Sequence, residues 1–148
     1  MRKIVVMVAA GLVLAAAAAF AAARPRVEVT FVLDSTGSMG GLIEGAKEKI
    51  WSIANDIIAR KAPGSTVGPE VRIGLVTYRD RGDEYVTRRF DLTTDIDAVF
   101  KNLQSITADG GGDDPESVNE ALREAVNDLS WTASSKVLKI IFLVGDYP

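Results

Sequence analysis

Three separate stretches of this chain carry oxygen-bearing side chains at spacings able to hold a hard metal ion. Asp34, Thr36 and Ser38 alternate by two within Asp-Ser-Thr-Gly-Ser-Met. Asp113 and Asp114 follow three glycines and precede Pro115. Asp146 ends the run Phe142-Leu143-Val144-Gly145-Asp146. Carboxylate and hydroxyl oxygens suit Mg²⁺, Mn²⁺ or Ca²⁺. An extended loop turns residues two apart to the same side, so Asp34, Thr36 and Ser38 can point inward together. Softer chemistry is excluded, because the chain has no Cys and no His. It therefore has no thiolate zinc site, no imidazole ligand, no histidine base and no Ser-His-Asp triad. Asp114, just before Pro115, reads as a helix N-cap with proline at the first helical position, which leaves Asp113 as the ligand candidate of that pair.

The elements that must position these groups alternate along the chain. Val27–Leu33 is rich in β-branched residues and reads as a strand buried on both faces. Gly40 to about Lys61 reads as a helix, with Ile43, Ala46, Ile50, Ile53, Ala54, Ile57 and Ile58 forming one stripe, stopped by Pro63-Gly64-Ser65. Val71–Tyr78 is a second strand, 79–83 a polar turn and Tyr85–Phe90 a short edge strand. Thr94 is placed to cap the next helix with Asp97 completing a capping box; Ile96, Val99, Phe100, Leu103 and Ile106 are its stripe. A third helix runs from Pro115 to about Leu129 with Val118, Leu122, Ala125, Val126 and Leu129 on one side. Val137–Gly145 is a last buried strand. The order β-α-β-β-α-α-β predicts a doubly wound, mostly parallel α/β sheet with helices on both faces. In such sheets ligands bind beyond the carboxyl ends of the strands, where Asp34 and Asp146 fall. A doubly wound sheet ending on a fresh central strand is unfinished, so further strands and helices are expected after residue 148.

The N-terminus reads separately. Arg2-Lys3 precede an apolar run from Ile4 to Ala23. A basic start, an apolar stretch and small residues at its end describe a secretory signal peptide, with Ala21-Ala22-Ala23 or Ala19-Phe20-Ala21 at the cleavage point. The same run is long enough to be an uncleaved membrane anchor. Residues 24–148 then form the domain, secreted or periplasmic. Loss of Arg2 and Lys3 takes the net charge from −3 to −5, which does not favour an anionic surface. No Lys/Arg block is long enough for nucleic acid; the clusters at 79–81 and 88–89 read as a solvated loop and strand end.

The motifs resemble one family. Asp34-x-Thr36-x-Ser38 is similar to the Asp-x-Ser/Thr-x-Ser signature of the von Willebrand factor type A domain, its metal-ion-dependent adhesion site. The strand ending in Asp146 resembles the one whose terminal Asp closes that site. Gly110-Gly111-Gly112-Asp113-Asp114-Pro115-Glu116-Ser117 resembles the loop that normally offers a Thr. The likeness covers residues 27–148 and is closest to a secreted bacterial branch. It implies a Rossmann-like fold, Thr36 and Ser38 binding Mg²⁺ directly, and Asp34 and Asp146 binding directly or through water. It also implies a non-enzymatic adhesion module whose protein partner completes the metal shell with an acidic side chain. Asp113-Asp114 in place of Thr adds a carboxylate, which raises metal affinity and opposes an acidic partner.

Two other function classes are open to these residues. A structural domain would use the metal for stability alone. A metal-dependent phosphoester hydrolase would open on Asp-x-Asp-x-Thr, but Thr36 stands where the second Asp, its general acid, belongs. Arg81-Gly82-Asp83 is the tripeptide of integrin ligands, but in a strand–strand connection it reads as a polar turn. Tyr78, Trp51 and Trp131 read as core or rim residues.

Overall fold

The computed structural model describes residues 24–61, 64, 66–112 and 117–146. Its elements, in order, are β1 (Arg26–Asp34), a 3-10 turn (Gly37–Gly41), α1 (Ile43–Ala59), β2 (Glu70–Tyr78), β3 (Thr87–Thr93), α2 (Ile96–Gln104), α3 (Val118–Asn127) and β4 (Leu138–Val144). The sheet order is β3-β2-β1-β4. β1 pairs in parallel with β2 and β4, and β3 closes one edge antiparallel to β2. The mostly parallel α/β architecture is therefore as the alternating pattern predicts.

Period-two alternation sorts the core into two layers. Val29, Phe31 and Leu33 of β1 and Ile73 and Leu75 of β2 face Ile43, Ile50 and Ala54 of α1 and Val99 and Leu103 of α2. Val32, Val76 and Tyr78 face the other way, onto Ala121 and Ala125 of α3 and Leu129. Helices thus cover both faces, and β1 lies buried between them. Chain order reverses around β1: α1 carries the chain to β2 on one side, and the later segments return it to β4 on the other. The carboxyl ends of β1 and β4 therefore flank the crevice where such sheets place ligands.

Several local expectations are corrected. The chain leaves β1 through the 3-10 turn, so the long helix starts at Ile43 rather than Gly40. The third strand starts at Thr87, two residues later than Tyr85, because Tyr85 is used in the preceding loop. Asp95, not Thr94, caps α2; its carboxylate accepts the amides of Asp97 and Ala98. Ile58, Phe100 and Val126 are exposed although they fall in helical stripes, while Ala121, outside the expected stripe, is fully buried. The last strand, expected buried, pairs among the described residues only with β1, and Leu138 and Leu143 are exposed along it. The expected cap Asp114 lies outside the described residues, as do residues 1–23. Among the described residues no helix is long and apolar enough to cross a membrane.

Candidate metal site

Asp34 is the last residue of β1 and is completely buried. Its Oδ1 accepts the Thr36 amide at 2.8 Å and the Thr36 hydroxyl at 2.7 Å. Thr36 Oγ1 lies 2.9 Å from Ser38 Oγ, which lies 3.2 Å from Asp146 Oδ1. Four of the five residues selected from sequence thus meet in one chain of contacts at the β1–β4 crevice. The fifth, Asp113, lies outside the described residues. Asp34 and Thr36 form the buried floor, and Ser38 and Asp146 the exposed mouth.

The donor set fits a hard cation. Asp34 Oδ2 is buried and, among the described residues, has no hydrogen-bond partner. A buried acceptor left unmade costs about 1–3 kcal/mol, and more when charged, so this oxygen marks a place prepared for a positive ligand. The Thr36 hydrogen is given to Asp34, and Ser38 sits between Thr36 and Asp146, so two carboxylates and two hydroxyls form one continuous row from the buried floor to the mouth. Among the described residues no three Asp or Glu side chains cluster as an all-carboxylate cage. The mixed set suits Mg²⁺ or Mn²⁺, which keep water or an outside ligand in part of the shell.

Backbone packing fixes the loop. Gly37 N–H donates to Gly110 O at 3.0 Å, and Asp109 N–H donates to Ser35 O at 3.1 Å. A Cβ on Gly37 would stand 2.6 Å from Gly110 O, closer than real contacts allow and against rigid backbone. Gly145 has more room, its Cβ position being 3.0 Å from Tyr78 Oη and 3.4 Å from Asp34 Oδ2. Gly37→Ala is accordingly expected to cost about 1–3 kcal/mol by overpacking. A melting temperature unchanged from wild type would contradict that.

The sequence reading missed the groups behind the site. Arg79 is not a solvated loop residue but is 3% exposed, and Asp80 is also buried. The Asp80 carboxylate accepts the Gly112 amide at 2.9 Å, and Asp83 Oδ2 accepts the Gly111 amide and the Asp80 amide, each at 3.0 Å. The 79–83 turn therefore clamps the glycine-rich loop beside Thr36. Gly111, Gly110 and Gly82 carry positive φ (88°, 75° and 104°), which glycine tolerates without cost. This accounts for Arg81-Gly82-Asp83 as a turn: Asp83 is spent inside the loop, and Arg81 pairs with Glu120. The Arg81 hydrogen bond holds the Glu120 carboxyl below its usual range. The signal that could have found Arg79 and Asp80 was their position, immediately after a parallel strand beside β1.

Comparisons with known proteins bear on the chain's relatives and its fold. The von Willebrand factor A domain profile matches residues 28–146. The chain is similar to von Willebrand factor A domain-containing protein 7 of Mus musculus, at 38% identity over 102 residues. Its Homo sapiens counterpart is 37% identical over the same length. These matches cover 69% of this chain, which spans only about a tenth of either relative. Among solved structures, proximal thread matrix protein 1 from the mussel byssus aligns with TM-score 0.52 at 17% identity, covering 83% of this chain and 29% of that one. That likeness speaks for the fold alone.

Proposed function

We infer that this chain, which belongs to the von Willebrand factor A domain family, works as a divalent-metal-dependent protein-binding module outside the cytoplasm. Domains of this family generally serve as protein-interaction modules rather than enzymes. The observation that carries the metal reading is Asp34 Oδ2, buried and unsatisfied among the described residues, at the floor of a crevice mouthed by Ser38 and Asp146. Asp34, Thr36, Ser38 and Asp146 would hold Mg²⁺ or Mn²⁺, with Asp113 as a further ligand. The ion supplies an electrophilic centre that a partner's carboxylate can complete. The chain's own residues set its placement: Asp34 and Thr36 anchor the floor, and the exposed Ser38 and Asp146 leave the open side toward the partner. The signal-peptide reading of residues 1–23 supports a secreted or periplasmic location.

The module reading is favoured over a metal kept for stability alone because the exposed half of the donor set opens to solvent. Calorimetric titration of the chain with Mg²⁺ and Mn²⁺ tests it. Wild type is expected to bind in the micromolar to millimolar range. Ser38→Ala and Asp146→Ala remove exposed groups and should weaken binding at least on the order of ten- to a hundredfold, with little change in melting temperature. A folded wild type that takes up neither ion would sink the reading.

A further inference from the structure

We propose that Arg79 and Tyr85 are positioning residues that lock the β1 loop and the α2–α3 loop together before any ligand arrives. The inference rests on the metal-site reading above only for its consequence, not for its geometry. Its hub is Ser35, the residue between Asp34 and Thr36, which is completely buried. Ser35 has one N–H, one hydroxyl hydrogen, two carbonyl lone pairs and two hydroxyl lone pairs to satisfy. Its N–H donates to Tyr78 O at 3.0 Å. Its hydroxyl donates to the same carbonyl at 3.0 Å and accepts from Thr77 Oγ1 at 2.7 Å. With that hydrogen spent, the Tyr85 hydroxyl, 3.0 Å from Ser35 Oγ, must be the donor. The Ser35 carbonyl accepts both the Asp109 amide at 3.1 Å and Arg79 Nε at 3.2 Å. Every polar group of Ser35 is thus used, by the end of β2, the β2–β3 loop and the α2–α3 loop.

Arg79 makes the second tie. The same guanidinium that holds Ser35 O gives Nη2–H to Thr107 O at 2.8 Å, so one rigid fork spans the β1 loop and the segment leading to the glycine-rich loop. Its charge is buried, and among the described residues the carboxylate that pairs with it, Glu84, is exposed and 3.8 Å away. The face of Tyr85 offsets this: the Arg79 guanidinium carbon lies 4.5 Å from the ring centroid, and that of Arg88 also lies over the ring, at 4.3 Å. Tyr85 therefore acts twice, as the platform that orients Arg79 and as a donor to Ser35. Lysine could replace the charge but not the planar fork or the stack.

Arg79→Lys and Tyr85→Phe test the lock without changing net charge. Amide hydrogen exchange of the full chain reads it at Gly37 and Asp109, whose N–H groups bridge the two loops. Both amides should exchange roughly tenfold faster in either variant, the scale of one net hydrogen bond, while Val32 and Val76 in the sheet core keep their wild-type rates. Unchanged exchange at Gly37 and Asp109 would overturn the proposal, as would equal acceleration throughout the sheet, which would mark a general stability role. Mn²⁺ affinity should fall by a similar factor; faster loop exchange with unaltered affinity would deny the positioning role. A wild type that binds no Mn²⁺ would defeat the metal reading, and the exchange rates would still decide the lock.

Discussion

Asp34→Asn is expected to abolish Mn²⁺ binding and, at the same time, to stabilise the metal-free domain. The two effects have one origin. The amide keeps an oxygen for the Thr36 N–H and hydroxyl, which Asp34 Oδ1 now accepts at 2.8 Å and 2.7 Å. It removes the negative charge shared with Oδ2, the buried oxygen with no partner among the described residues. The amide nitrogen in the Oδ2 position is still unpaired, but leaving a neutral buried group unpaired costs less than leaving a charged one, a difference of about 1 kcal/mol. On the proposed metal reading, wild type would recover the deficit by binding an ion; at a hundredfold excess over Kd, ligand linkage adds about 2.7 kcal/mol. Thermal melts should therefore rank the asparagine variant above wild type in EDTA and below it in saturating Mn²⁺. A variant that melts well below wild type in EDTA would show that Asp34 is a structural carboxylate and not a ligand held in waiting.

Glu28→Ala should cost about 3–5 kcal/mol, the scale for removing one partner of a buried ion pair. That is a large share of the roughly 5–15 kcal/mol that holds a typical domain together. Glu28 lies in β1, fully buried, at the opposite end of the strand from Asp34 and the loop that follows it. Its Oε1 accepts Thr132 Oγ1 at 2.6 Å and Arg72 Nη1 at 2.8 Å, and its Oε2 accepts the Thr132 amide at 2.9 Å. Arg72 also reaches Ser130 O, Ser130 Oγ and Leu92 O. Arg72 remains partly open to solvent, so the lower end of the range is expected. Burial pushes the Glu28 carboxyl up, but the Thr132 hydroxyl and amide and the Arg72 guanidinium outweigh it and hold it below the usual glutamate range. Asp91 is likewise lowered: burial raises it, and the amides of Ser130 and Leu92 overcome that. A lowered native value means the stabilisation is complete above the ordinary value, about 4.3 for glutamate, and is lost as pH falls through the native value. Denaturant melts across that window should show wild type losing stability in acid and Glu28→Gln, already weaker at neutral pH, losing less. Equal acid slopes in the two proteins would contradict this.

The parts of the site legible in the sequence were those fixed by local rules. Asp34, Thr36 and Ser38 announce themselves because a buried strand must end where its alternation of apolar residues gives way to hydroxyls and glycines. Asp146 follows from the same logic on β4. The mostly parallel sheet and the two helical layers follow from period, since stripes and β-branched runs are set by burial; the strand order β3-β2-β1-β4 came from the structure. What stayed hidden depends on contacts far apart in sequence. Glu28 sits inside an otherwise apolar strand, and only Arg72 and Thr132, 44 and 104 residues away, make its burial affordable. Arg79 and Asp80 look like ordinary turn residues until the glycine-rich loop, 28 to 32 residues on, is brought against them. The cap of α2 moved by one residue because Thr93 Oγ1 accepts the Asp95 amide, which orients Asp95 itself toward the helix. β4 reads as buried from its hydrophobicity, yet exposes Leu138 and Leu143 because among the described residues only β1 pairs with it.

The most direct measurement is anomalous diffraction from crystals of the chain equilibrated with Mn²⁺, collected at the manganese edge. The account predicts one strong peak in the β1–β4 crevice, bounded by Asp34, Thr36, Ser38 and Asp146, and absent from crystals of Asp34→Asn. An ordered crevice with no peak, or a peak only at surface carboxylates elsewhere, would contradict the metal site and with it the metal-dependent binding function.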